Sequence, residues 1–88
     1  MTSIRFMQII QLMCARYGGS VTSWIRSPKR NQEVGGHPDS YHMEGQAVDV
    51  VMDHTVDIER FKNSCRRYGL KVLDEGDHIH VQTQSLVL

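Results

Sequence analysis

The segment Ala47-Val48-Asp49-Val50-Val51 places one carboxylate in an otherwise apolar, β-branched run. Such a run reads as a buried strand, and the extended strand from Gln46 to Val51 turns Ala47, Asp49 and Val51 to one face and Val48 and Val50 to the other. A carboxylate in that setting is stable only beside a cation. Two nearby stretches offer the means: Ser40-Tyr41-His42-Met43-Glu44-Gly45 leads into the strand, and Asp77-His78-Ile79-His80 follows later. Together with Asp49 they can give two histidines and one carboxylate to a single metal, with a further carboxylate left for acid–base work. Three protein ligands leave a fourth zinc position for water, as hydrolytic centres require.

With 88 residues, the chain has room for one domain spanning 1–88 and a small core, so a bound metal would add stability as well as chemistry. Ten Lys and Arg balance ten Asp and Glu. No global field draws the chain to nucleic acid or to an acidic membrane, so neither is an expected partner. Arg5, Gln8 and Gln11 interrupt the apolar residues of the first segment, which argues for a mature amphipathic helix and against a signal peptide. No run is long enough to span a bilayer. Cys14 and Cys65 fall on helix stripes and read as buried free thiols.

Met7, Ile10, Cys14 and Tyr17 form one stripe of a helix from about Ser3 to Tyr17, ended by Gly18-Gly19. Val21 to Ile25 reads as a short strand with Arg26 at its end. Ser27 to Tyr41, with Pro28, Gly35, Gly36 and Pro38, reads as a long loop. Thr55 is placed to cap a second helix carrying Ile58, Phe61, Cys65 and Tyr68, with Gly69 as its stop. Leu70–Leu73 and His78–Thr83 then read as strands joined by a turn at Asp74-Glu75-Gly76-Asp77. The expected fold is α+β: a small, mainly antiparallel sheet with two helices packed on one face.

Ser40-x-His42-x-x-Gly45-x-Ala47-x-Asp49, followed by Asp77-His78-x-His80, resembles the zinc D-alanyl-D-alanine carboxypeptidase family, peptidase family M15. That family also includes D-alanyl-D-alanine dipeptidases and phage endolysins that cut L-alanyl-D-glutamate bonds. Ser23-Trp24-Ile25-Arg26-Ser27-Pro28, Asn31 and Gly35-Gly36 are similar to the family's upstream segment. The resemblance implies that His42, Asp49 and His80 ligate one Zn²⁺. It implies Asp77 as general base, Arg26 as the group holding the substrate carbonyl or developing oxyanion, and His78 beside the site. The chain departs from the pattern at Trp24 and Ile25, where many members carry Gly and Tyr, at Asp77, where Glu is frequent, and at Gln82, where some small relatives carry an acid.

The implied activity is hydrolysis of D-amino-acid-containing bonds in peptidoglycan stem peptides or their precursors, by a monomer. The implied setting is cytoplasmic synthesis, either of a phage or prophage lysis enzyme released to the wall through a separate pore or of a dipeptidase that acts in the cytoplasm. A non-catalytic zinc module of the same fold, and more remotely a metal-free interaction domain, are the competing expectations. His78 as a fourth ligand, or Asp77 turned away from the metal, would favour the non-catalytic module.

Overall fold

The computed structural model describes residues 1–25, 28–35 and 45–84. Its first element, α1 (Ser3–Tyr17), starts where the Thr2 hydroxyl accepts the Arg5 amide at 3.1 Å. It stops at Gly18, whose φ of 75° lets its amide reach back to the Cys14 carbonyl. These are the side-chain N-cap and left-handed C-cap that satisfy orphaned end groups. Phe6, Ile9 and Met13 are buried together with Met7, Ile10 and Cys14, so the apolar stripe is wider than the one read from the sequence.

Four strands follow: β1 (Gly19–Ser23), β2 (Ala47–Met52), β3 (Lys71–Asp74) and β4 (Ile79–Gln82). They pair antiparallel throughout in the order β1-β2-β4-β3, which puts β2 and β4 at the centre. The fold is the expected α+β arrangement. One face of the sheet carries Val48, Val50, Val72, Ile79 and Val81, packed against Phe6, Ile10 and Met13 of α1 and Phe61 and Cys65 of α3 (Ile58–Arg67). The opposite face carries Asp49 and His80.

Three expectations need correction. Part of the expected loop from Ser27 to Tyr41 is a six-residue helix, α2 (Pro28–Glu33). Proline is tolerated at a first helical position because the amide it lacks would be unpaired there. The first strand begins two residues early, leaving Trp24 and Ile25 beyond its end. Thr55 does not cap a helix with its side chain: a 3₁₀ turn at Thr55–Asp57 leads into α3, and neither His54 nor Asp57 makes a side-chain cap.

Cys14 and Cys65 are buried and unpaired, as expected. Burial, chiefly, pushes the Cys65 thiol up to about 12 and raises Cys14 as well. Both are packing residues with little thiolate character.

Candidate metal centre

Antiparallel register places Asp49 of β2 directly opposite His80 of β4. Directly opposed residues share a sheet face, so the carboxylate and the ring meet on the face away from the helices. The separation between His80 Nδ1 and Asp49 Oδ1 is 3.3 Å, and each side chain is 15 % exposed. His78, two residues earlier and on the same side, brings Nε2 to 3.8 Å from the same oxygen. Its Nδ1 lies 2.6 Å from Asp77 Oδ1. The Asp77 side chain is itself 90 % exposed, and His78 stands between it and Asp49.

Local backbone features hold this group in place. The pairing of β1 with β2 shifts between Val21 and Ser23, so an irregularity sits beside Asp49, and the Thr22 hydroxyl donates to the Asp49 carbonyl at 3.3 Å. Bulges of this kind re-aim strands next to functional sites. The Trp24 indole donates to the Gly45 carbonyl at 2.9 Å and ties the end of β1 to the approach to β2. Gly45 has φ +68°, which strains any side chain, and a Cβ there would lie 3.2 Å from Ser3 Cβ and push it aside by a few tenths of an ångström. In the β3–β4 turn, the Glu75 amide donates to the His78 carbonyl and the Gly76 amide to Asp74 Oδ1, both at 3.0 Å.

His80 stands between two acceptors, since its Nε2 lies 2.8 Å from Gln82 Oε1. The bond to Asp49 raises the imidazole pKa most, Gln82 adds to it, and burial opposes both. The Asp49 carboxylate thus favours the protonated form of the His80 ring. Sequence reading did not single out Gln82 as a partner, although the two-residue strand period places it on the same face as His80.

These donors fit zinc. Bonds of about 2.0–2.1 Å place neighbouring tetrahedral ligands about 3.3 Å apart, which is the separation of Asp49 Oδ1 and His80 Nδ1. Outer-shell acceptors on ligating imidazoles are a general feature of metal sites, and Gln82 on His80 is such a partner. Among the described residues no group of three His, Cys, Asp or Glu side chains is arranged to hold an ion. His42 and Arg26 lie outside the described residues.

A cleft of about 590 Å³ opens onto Asp49 and His78, with Trp24, Ile25 and Val34 as its apolar wall and Thr22, Ser23 and Arg30 as polar lining. That volume suits a short peptide, within the range of ordinary ligand pockets.

A carboxylate faced by imidazoles thus lies on the open face of a rigid sheet, with Asp49 and His78 at the edge of the cleft. The chain belongs to the peptidase M15 family, whose model matches residues 1–82. Peptidases of this family are generally zinc-dependent, and membership supports peptidase activity. No curated protein matches the chain. Among the described residues no helix is long and apolar enough to cross a membrane.

The raised His80 pKa has a measurable consequence for the metal-free protein. Folding lifts the value above that of the unfolded chain, so its contribution is fully present below the unfolded value of about 6.5 and is lost as pH rises through the native value. Melting temperature in chelator should fall as pH rises above about 6.5, and less steeply in His80→Gln. Equal slopes in the two proteins would show that the Asp49–His80 pair does not couple folding to protonation.

Proposed function

We propose that the chain is a zinc-dependent metallopeptidase acting on D-amino-acid-containing peptide bonds of peptidoglycan stem peptides or their precursors. The observation that carries this reading is the opposed pair Asp49 and His80, with Asp49 lining the cleft, in a chain of the M15 family. Asp49 and His80, with His42, would hold the ion. Zinc, when bound, would supply the Lewis acidity that makes water nucleophilic near neutral pH and polarises the scissile carbonyl.

In this reading Asp77 is the general base: it accepts the proton of the attacking water and returns it to the leaving amine. His78, bonded to Asp77 at 2.6 Å, restrains that carboxylate and links it to Asp49. Arg26 holds the negative charge that develops on the carbonyl oxygen. Trp24, Ile25 and Val34 give the substrate an apolar wall. Synthesis in the cytoplasm, with release to the wall through a separate lysis pore of a phage or prophage, belongs to the same proposal, as does a monomeric state.

One observation favours a second reading, the non-catalytic zinc module. Asp77 is almost fully exposed, and His78 is interposed between it and Asp49. Metal content measured alongside hydrolysis of purified stem peptides, in wild type and Asp77→Ala, separates the two. The peptidase reading expects one zinc per chain in both proteins and a rate about 10²–10⁴ lower in the variant. Zinc bound by both proteins with no cleavage by either would establish the non-catalytic module.

A further inference from the structure

Overall charge is zero, yet the helical layer carries a concentrated basic feature. Two adjoining grooves of about 250 and 130 Å³ share Tyr17, Ser64 and Arg67. Met13, Arg16 and Tyr68 complete the first, and Arg60 and Asn63 complete the second. Among the described residues, no Asp or Glu lines either groove, and the ion pairs formed by Arg and Lys engage Arg30 and Lys62 instead. Three guanidinium groups thus gather where no carboxylate matches them.

The floor of the grooves is ordered. Arg16 lies over the Tyr17 ring at 5.6 Å from its centroid, and the Tyr17 and Ser64 hydroxyls are 2.7 Å apart. A guanidinium fork matches the paired oxygens of a phosphate, and its pre-organised plane loses little entropy on binding. Two grooves in series that share one arginine suit anions repeated along a chain, because a single small ion would occupy only one of them. Tyrosine rings beside the arginines give the intervening carbon segments an apolar surface. The helices cover the sheet face opposite Asp49, so occupation of these grooves leaves the cleft open.

We propose that the Arg16–Arg60–Arg67 grooves bind a phosphodiester polymer of the cell wall, which would hold the domain near its substrate. The choice of a wall polymer rests on the peptidase reading, whereas the anion chemistry does not. Tethering of this kind raises local substrate concentration without new contacts at the cleft.

Binding of a fluorescent glycerol-phosphate polymer, followed by anisotropy at several salt concentrations, tests the proposal. Wild type should bind with log affinity falling by about 2 per decade of salt, as about three single-strand-type phosphate contacts require. The combined variant Arg16→Gln, Arg60→Gln, Arg67→Gln should bind at least ~10-fold more weakly, with hydrolysis of a soluble stem peptide unchanged. Arg67→Glu alone, an exposed single change, should show the same loss and so guards against misfolding of the triple variant. Unchanged binding in folded variants overturns the proposal, as does equal or tighter binding of polyglutamate or of an oligothymidylate. Polymer binding without peptide cleavage would sink the peptidase reading and leave the anion site standing, and cleavage without polymer binding would do the reverse.

Discussion

Asp49→Asn is expected to weaken zinc binding by more than about 100-fold and to abolish any zinc-dependent hydrolysis. Even loss of an outer-shell partner costs about 10–100-fold in metal affinity, so loss of the carboxylate itself sets a larger floor. The substitution keeps the side chain's volume on a strand where it is 15 % exposed, so packing survives and the effect can be assigned to charge. It also removes the negative charge beside His80 that raises the imidazole pKa. Titration calorimetry and thermal melts with and without zinc are the measurements. A variant whose melting temperature still rises with zinc as in wild type would show that Asp49 is not a ligand.

The second large effect is on the fold. Phe61→Ala empties a position on α3 with no exposure, where the ring packs in the cluster formed with α1 and the sheet. Phe-to-Ala changes in cores cost about 3–5 kcal/mol. Stability of about 0.05–0.15 kcal/mol per residue gives a chain of this length about 4–13 kcal/mol in total, so the change removes from about a quarter to all of the metal-free stability. Zinc at about 1,000 times its dissociation constant would return about 4 kcal/mol. Urea melts should therefore show a midpoint shifted to lower denaturant in chelator and moved back up on adding zinc. A loss below about 1 kcal/mol would mean that the site collapses around the missing ring.

The parts of this molecule legible in its sequence are those set by periodicity. Asp49 announces itself because a two-residue period places it on a strand whose other face is wholly apolar, and the structure turns Val48 and Val50 into the core beside it. The stripe of Met7, Ile10 and Cys14 was visible for the same reason, and so was the capping role of Gly18. Six residues are too few to display a helical period, so α2 was hidden behind Pro28, which punctuates loops and helix starts alike. The β1 boundary failed through propensity. Trp24 looks like a strand residue, but its indole is used to reach the Gly45 carbonyl past the strand's end.

At the site, the opposition of Asp49 and His80 is a matter of register, which no local pattern encodes. The strand period did place His78 and His80 on one face, but the 2.6 Å contact of Asp77 with His78 depends on how the chain leaves the turn at Gly76. Overall neutrality argued against polyanions, and that inference was blind to how Arg16, Arg60 and Arg67 gather across two helices.

The strand order has a kinetic consequence. Asp49 and His80 are separated by 31 positions and sit on the two inner strands, so every residue of α3 and β3 lies in the loop that must close before they meet. Closing such a loop is one of the slower and later events in assembling a sheet. Inner strands are also the last to exchange their amides, because edges fray first. An ion held here would bridge the two inner strands and so reinforce the pairing that closes last.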